Sequence, residues 1–247
     1  MKLKTTHPLL SIFLTAGYPQ LNDLPRQLAL LEKYGVDFVE VGIPFSDPLA
    51  DGPVIQESST IALKNGMQLS LIFQQLKAVN TSVPLVLMGY LNPILQFGMD
   101  RFLAEANHVG VKHVVLPDLS IEIYERSYKE IFDHYGVTPC FLVTPKTSDD
   151  RIRKAARLSE KGFVYLVSTN ATTGSQHLTT LNLQERYREV KSLCGATPVI
   201  MGFGIRDKAT FEAATVDVDG AIIGSAFIQA LGSGKEEEFL AQLKSPK

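Results

Sequence analysis

The sequence predicts a (β/α)8 TIM barrel, and three observations indicate it: the alternation, the number and the length of its elements. Eight short apolar runs, rich in β-branched residues, alternate with longer amphipathic stretches. This alternation is typical of a parallel sheet joined by right-handed helical crossovers. Eight such units in 247 residues suit a closed barrel better than an open doubly wound sheet. We therefore predict one barrel domain over residues 1–247.

The predicted strands are short and apolar throughout, as expected for strands that are buried on both faces. In order, they are 9–15, 38–43, 85–88, 113–116, 139–143, 163–167, 198–201 and 220–223. The predicted helices carry apolar residues at helical spacing. They are 23–33, 70–80, 100–107, 121–134, 149–158, 184–193, 207–214 and, after the last strand, 227–243. The segment 44–56 is the longest predicted loop, because its prolines and Gly52 favour an irregular path.

The N-terminus loosely resembles a secretory signal, since Lys2 and Lys4 precede an apolar run. Ser11 and Thr15 interrupt that run, and cleavage would delete the first strand of the barrel. We therefore expect a short segment of about eight residues before strand one, and no signal peptide. No segment is long enough to cross a membrane. These observations favour a cytoplasmic protein.

Composition argues against several classes of function. Lys plus Arg number 24 against 26 for Asp plus Glu, so no basic excess is available to bind nucleic acid. Cys140 and Cys194 form no Cys-x-x-Cys motif, and we expect buried structural thiols. The five histidines lack metal-ligand spacing, so we expect surface or loop positions and no metal site. No Walker loop or dinucleotide fingerprint is present, which predicts no cofactor in this chain.

The most informative stretch is 39–56, VEVGIPFSDPLADGPVIQ. Glu40 lies within a strand that is apolar on both faces, so its carboxylate must point into an interior or a pocket. Asp47 and Asp51 lie in the following loop. Loops after strands are the positions where a TIM barrel carries its functional groups, so this stretch predicts an acid–base site.

Two glycine-bearing segments, Gly202-Phe203-Gly204-Ile205 and Gly224-Ser225-Ala226, follow predicted strands seven and eight. Glycine lets the backbone approach a ligand closely, and free N–H groups at a helix N-terminus attract an anion. In this fold the same pair of loops is the usual phosphate site. Backbone dipoles and the Ser225 hydroxyl suffice for such a site, so no Lys or Arg is required.

The segment IPFSDPLADGP, preceded by VEVG, resembles the signature loop of the tryptophan synthase alpha chain family. Further motifs follow in the family's order across nearly the whole chain: FLTAGYP at 13–19, YLNPI at 90–94, LPDL at 116–119, YLVS followed by TTG at 165–174, MGFGI at 201–205 and GSA at 224–226. The resemblance implies a lyase that cleaves indole-3-glycerol phosphate to indole and glyceraldehyde 3-phosphate by a retro-aldol reaction. It also implies an alpha2beta2 complex with a pyridoxal phosphate-dependent beta chain that receives the indole.

The resemblance also implies roles for individual residues. Glu40 would be the general acid/base for indole C3 and the glycerol hydroxyl, Asp51 would accept the indole N–H, and Tyr165 would assist near the scissile bond. Thr173, on a mobile lid, would hydrogen-bond Asp51, and Gly174 would complete the phosphate cradle. The implied apolar pocket consists of Phe13, Ile55, Met88, Tyr90, Val115, Pro117 and Phe203. For Phe13 and Val115, ordinary barrel core remains an equal alternative.

The expected partner surface is the loop 44–53 together with the segment 91–94. Its residues are Asp47, Pro48, Asn92 and Pro93, and we expect Asp47 to reach a basic residue of the beta chain. A turn cap before Pro48 is the alternative reading of Asp47. We expect Asp118 to be a helix cap rather than a loop anchor.

The lid departs from the family's usual Ser-Arg-x-Gly-x-Thr-Gly, because this chain has Ala171 at the glycine position. If that position needs a positive φ, alanine costs about 1–2 kcal/mol and would weaken lid closure. This motivates a second hypothesis, a weakened enzyme that acts mainly as an allosteric activator of the beta chain. Retention of Glu40, Asp51 and Thr173 favours the lyase. Another phosphosugar-binding barrel, such as an isomerase, is disfavoured by the 43–53 loop.

Overall fold

A computed structural model describes residues 7–168 and 180–244, and of residues 180–182 it describes the backbone alone. Within these ranges, nine parallel strands form one sheet in the order β5-β4-β3-β2-β1-β9-β8-β7-β6. The strands are β1 Leu9–Thr15, β2 Phe38–Gly42, β3 Leu85–Met88, β4 His113–Val115, β5 Thr138–Pro139, β6 Leu142–Val143, β7 Val164–Val167, β8 Val199–Gly202 and β9 Gly220–Ile223.

The fifth predicted strand is divided into β5 and β6, and this division closes the barrel. Strand β5 pairs with β4, whereas β6 pairs with β7. Between them, Cys140 N donates to Val114 O at 2.8 Å and Tyr165 N donates to Phe141 O at 3.0 Å. One short segment therefore bridges both ends of the sheet. The TIM barrel prediction is confirmed, and the extra strand reflects a change of partner within a single segment.

Helices connect the strands around the outside of the barrel. They are α1 Leu24–Lys33, α2 Pro53–Lys64, α3 Leu69–Ala78, α4 Leu91–Phe97, α5 Met99–His108, α6 Ile121–Ile123, α7 Lys129–Tyr135, α8 Asp149–Leu158, α9 Thr180–Cys194, α10 Lys208–Ala214, α11 Ser225–Gly232 and α12 Glu236–Leu243. A π-helical segment, Tyr124–Tyr128, joins α6 to α7. Of the described helices, none is both long and apolar enough to span a membrane.

The helical predictions missed two helices, α2 and α4, and joined α11 to α12. The predicted loop 44–56 ends earlier, because the unpredicted α2 begins at Pro53. Proline suits the first helical position, where its missing N–H would have no helical partner. Helix α4 was not predicted at all. The predicted C-terminal helix 227–243 is two helices, and Gly234 between them has φ +67, a left-handed conformation that ends a helix readily.

The cysteine prediction is confirmed, since Cys140 and Cys194 are free and buried. The histidine prediction is wrong for His113, which is 6% exposed at the start of β4. Burial lowers the pKa of this imidazole to about 4, because a buried ring disfavours the charged form. The described residues contain no group of three or more His, Cys, Asp or Glu side chains suited to a metal ion.

Candidate active site

A cavity of about 210 Å³ opens at the C-terminal ends of the strands. This is the end of a TIM barrel that carries functional groups. The cavity joins the acidic motif to the two glycine-bearing loops, although these are far apart in sequence. Its described lining consists of Phe13, Glu40, Asp51, Ile55, Met88, Tyr165, Phe203, Gly204, Ile205, Arg206, Ile222, Gly224 and Ser225.

Glu40 is held in position by the strands on either side of β2. It lies in β2, in register with Phe13 on one side and Val86 on the other. The side chain is 1% exposed, and neither carboxyl oxygen has a hydrogen-bond partner among the described residues. Burial raises the pKa of this carboxyl to about 8, and the nearby charge of Asp51 adds to the effect. Glu40 is therefore suited to both giving and taking a proton near neutral pH.

Asp51 is half-buried at the cavity wall and is held by Tyr90. The Tyr90 hydroxyl donates to Asp51 Oδ2 at 3.2 Å and accepts from Ala50 N at 3.1 Å. Burial raises the pKa of Asp51, and the bond from Tyr90 partly opposes that rise. Gln56 Nε2 donates to the Asp51 carbonyl at 2.8 Å. Both the carboxylate and the backbone of Asp51 are thus fixed at the cavity.

Tyr165 is buried beneath the cavity, and Gly202 makes room for it. A Cβ at Gly202 would lie 2.1 Å from the Tyr165 hydroxyl oxygen. Burial, with added repulsion from Glu40 and Asp51, raises the pKa of Tyr165 well above its usual value. Gly202 was predicted as a ligand contact, but it does not line the cavity and lies behind the tyrosine. Glycine is needed at position 202 because a larger side chain would collide with Tyr165.

The loop after β8 has an unusual backbone. Phe203 and Gly204 both have left-handed φ, +72 and +78, and this region is unfavourable for phenylalanine. Ser168 stabilises the arrangement: its Oγ donates to Phe203 O at 3.0 Å, and its N donates to Gly202 O at 3.2 Å. The Phe203 ring meets Tyr165 edge to face, with 6.3 Å between centroids. The loop therefore presents both an aromatic ring and a glycine to the cavity.

Across the cavity, Gly224 and Ser225 begin α11. The first N–H groups of a helix have no partner within the helix and attract anions. Phe13 lies beside them, and its ring occupies the space above Gly42, where a Cβ would be 2.4 Å from Phe13 Cζ. The fold thus places residues predicted for the phosphate site next to a residue predicted for the apolar pocket.

Other predicted site residues lie elsewhere. Tyr90 lines a small adjoining cavity together with Asp51 and Met88. Val115 is fully buried beside Met88 in the sheet, and of the two readings left open for it, the core is the one observed. Pro117 is half-buried and does not line the main cavity. The lid residues Ala171, Thr173 and Gly174 lie outside the described residues.

Asp118 anchors a neighbouring helix, contrary to the expected cap of its own. Both of its carboxylate oxygens accept from Leu91 N, at 3.1 and 3.0 Å, at the start of α4. The cap of α6 is Ser120, whose Oγ accepts from Ile123 N at 3.2 Å. The prediction missed this role because the two loops are separated by a whole β/α unit.

A second groove, of about 470 Å³, lies between the loop after β2 and helix α4. Asp47, Asn92 and Pro93 line it, as does Phe45. Pro48 is not part of its lining, but the next residue, Leu49, is 82% exposed. The loop and the segment 91–94, predicted as one partner surface, are therefore adjacent in the structure.

Three lining residues were not predicted: Ile205, Arg206 and Ile222. Ile222 lies in β9 among residues that read as barrel core, and the sequence carries no signal that separates it from them. Ile205 ends the glycine-bearing segment 202–205 and Arg206 directly follows it, which was a usable signal. Arg206 matters most, because it brings a positive charge to a cavity for which none was expected.

The chain is similar over nearly its whole length to proteins of one family. The family model described as tryptophan synthase alpha chain matches residues 2–245. A tryptophan synthase alpha chain of Flavobacterium johnsoniae is 48% identical over 249 residues, covering 98% of each chain. One of Christiangramia forsetii is 46% identical and covers 99% of this chain and 97% of the relative. The solved tryptophan synthase A-subunit of the hyperthermophile Pyrococcus furiosus is 33% identical, with a TM-score of 0.83 over 96% of this chain and 97% of that one.

Proposed function

The chain belongs to the tryptophan synthase alpha chain family, and on that premise we propose how its own residues carry out the reaction. The protein is a carbon–carbon lyase that cleaves indole-3-glycerol phosphate to indole and glyceraldehyde 3-phosphate, and the indole passes to a beta chain. One observation carries our assignment of residues. It is the buried Glu40 carboxyl, without a described hydrogen-bond partner, in a cavity shared with Asp51.

Glu40 moves two protons in this proposal. With its pKa raised to about 8, the carboxyl is mostly protonated at neutral pH, so it first acts as an acid and protonates indole C3. The resulting carboxylate then takes the proton of the adjacent glycerol hydroxyl. The C–O bond becomes a carbonyl, the carbon–carbon bond breaks, and its electron pair returns to the ring. Glu40 ends the cycle protonated, as it began.

Asp51 supports the intermediate of the same step. Protonation at C3 leaves a positive charge on the ring, shared with the indole nitrogen. An ionised Asp51 that accepts the N–H stabilises that charge, and the bond from Tyr90 favours its ionised form. Tyr165 stays protonated because burial raises its pKa, so it serves as a hydrogen-bond donor near the scissile bond.

The phosphate lies at the opposite side of the cavity from Glu40. Gly204, Gly224 and Ser225 are the described residues that we assign to it, and their partner in the family's pattern, Gly174, belongs to the lid. The ring then packs among the apolar side chains of the cavity. Phe13, Ile55, Met88 and Phe203 are those that line it.

We assign the beta chain to the groove between the loop after β2 and helix α4. Exposed Leu49 and half-exposed Leu95, 82% and 48% accessible, flank a lining that includes Asp47, Asn92 and Pro93. Large exposed apolar side chains beside a groove support a docking role. An alpha2beta2 assembly, pyridoxal phosphate in the beta chain, no cofactor in this chain and a cytoplasmic location complete the proposal.

Indole release from indole-3-glycerol phosphate tests the proposal, measured with and without the cognate beta chain. We expect release by the wild type, faster with the partner, and a loss of at least about 10²-fold in Glu40→Gln. Release by Glu40→Gln at the wild-type rate contradicts the assignment of Glu40. If the wild type releases no indole but still makes the beta chain use added indole faster than the beta chain does alone, the activator hypothesis is correct.

A further inference from the structure

Arg206 is the one basic residue in the described lining of the active-site cavity. The Asp51 carboxylate shares that lining, as does the Glu40 carboxyl, which is mostly protonated at neutral pH. A phosphorylated substrate must therefore enter a cavity that already holds the negative charge of Asp51. Like charges repel, and an opposite charge at the entrance offsets the repulsion.

The backbone of Arg206 is fixed by the start of helix α10. Arg206 N donates to Thr210 Oγ1 at 2.9 Å. Asp207 caps the same helix, its Oδ1 accepting from Thr210 N at 2.8 Å. The main-chain N–H of Arg206 is thus already used, and the residue has only its side chain to offer a ligand.

The guanidinium of Arg206 forms no hydrogen bond or ion pair with the residues that the structure describes, although its charge acts on the adjacent Asp207. None of the ion pairs between described residues includes it. The neighbouring Asp207 carboxylate is engaged in its helix cap, and its pKa is lowered chiefly by the bonds from Thr210 and least by the charge of Arg206. A cation held at a cavity entrance by its backbone, with its side chain unpaired, is available to a ligand.

The position of Arg206 within the cavity indicates which chemical group of a ligand it contacts. Glu40 and Tyr165 are 1% and 4% exposed at the inner end, whereas Gly204, Arg206 and Ser225 are exposed at the outer end. The outer end thus combines a glycine in left-handed conformation, the first turn of α11 and a planar group with five N–H donors. Guanidinium matches the geometry of a phosphate group in a two-point contact.

We propose that Arg206 is a phosphate-binding residue that holds the substrate's phosphate at the outer end of the cavity. The inference rests on the proposed function, and it adds a side-chain cation to a site expected to rely on backbone groups and Ser225. The phosphate is remote from the reacting atoms. Arg206 therefore contributes to affinity and to preference for phosphorylated ligands.

The test compares a phosphorylated ligand with its alcohol. The phosphate ester of 3-(indol-3-yl)propanol lacks the glycerol hydroxyl whose proton Glu40 removes, so it cannot be cleaved. The free alcohol differs from this ester only in lacking the phosphate. We measure the Kd of both for the wild type, Arg206→Ser, Arg206→Lys and Lys208→Ser, and kcat for indole release. Lys208 is the matched control, because it is an exposed cation two residues away that does not line the cavity.

We expect the Kd of the ester to rise about tenfold in Arg206→Ser, the lower end for a charge-assisted hydrogen bond. The Kd of the alcohol should not change, Arg206→Lys should be intermediate, and Lys208→Ser should match the wild type. An unchanged Kd for the ester overturns the inference. So does an equal loss for ester and alcohol, or an equal loss in Lys208→Ser. Absence of indole release by the wild type is a failure of the proposed function instead, and the ligand comparison remains decisive for Arg206.

Discussion

The Tyr90 hydroxyl donates a hydrogen bond of 3.2 Å to Asp51 Oδ2 while it accepts one from Ala50 N. Tyr90 lies after β3 and Asp51 lies in the loop after β2, so the bond joins two neighbouring loops at the mouth of the barrel. It fixes the carboxylate and favours its ionised form. The acid–base site therefore depends on a residue that does not line the main cavity.

Tyr90→Phe removes this hydroxyl and keeps the ring packed against Phe45. We expect kcat/KM for indole release to fall about tenfold, the effect of one charge-assisted hydrogen bond. The pKa of Asp51 should rise, because the bond from Tyr90 now lowers it. The acid limb of the kcat/KM profile should thus move to higher pH. An unchanged rate and an unchanged acid limb would show that Tyr90 plays no part in holding Asp51.

Glu40→Gln should stabilise the folded protein at high pH. The folded carboxyl has a pKa of about 8 against an ordinary value of 4.5. Between these values the unfolded chain binds fewer protons than the folded one, so wild-type stability falls as pH rises. Glutamine does not titrate, so the stability of Glu40→Gln does not fall with pH for this reason. In denaturant unfolding, the free energy of unfolding of Glu40→Gln relative to that of the wild type should rise by about 1–4 kcal/mol between about pH 5 and about pH 9. A constant difference across that range is incompatible with a raised pKa.

Gly202→Ala should disrupt Tyr165. The new Cβ would lie 2.1 Å from the hydroxyl oxygen and 2.3 Å from a ring carbon, and the tyrosine is buried, so it must move. We expect a loss of about 1–3 kcal/mol in stability, typical of overpacking, and a fall in kcat for indole release. Thermal unfolding and steady-state kinetics measure the two effects. Wild-type values in both would mean that Tyr165 has free space beside Gly202.

Ser168→Ala should loosen the loop that carries Phe203. The serine hydroxyl bonds the Phe203 carbonyl at 3.0 Å and helps to hold its left-handed backbone. Without it, the variant should lose about 1 kcal/mol of stability, and KM should increase because Phe203 and Gly204 are less well placed. Ser168→Thr, which retains the hydroxyl, is the control. An equal KM in the alanine and threonine variants would exclude a role for the hydroxyl.

Much of the fold follows from sequence patterns, because buried parallel strands must be apolar on both faces. Strand β1 and helix α8 have the predicted bounds. The split of β5 from β6 follows instead from closure of the barrel, which makes one segment pair with two partners. Helix α2 was missed because Pro53 reads as a loop residue, although proline also begins helices.

The site was predictable where a short motif carries the chemistry, as for Glu40 and Asp51. It was not predictable where packing between segments that are distant in sequence determines the role of a residue. Gly202 makes room for Tyr165, Val115 is core, and Asp118 anchors helix α4 of the preceding unit. Arg206 was overlooked for another reason: backbone groups and the Ser225 hydroxyl were expected to suffice for phosphate binding, so no cation was predicted.

The pH dependence of kcat/KM for indole release by the wild type tests the central claim most directly, because this ratio reports the protonation state of the free enzyme. If protonated Glu40 begins the reaction, kcat/KM falls above about pH 8, the pKa that burial and Asp51 impose on its carboxyl. If kcat/KM instead stays level or rises from about pH 7 to about pH 9, Glu40 is not the acid that starts carbon–carbon cleavage, and the account is wrong.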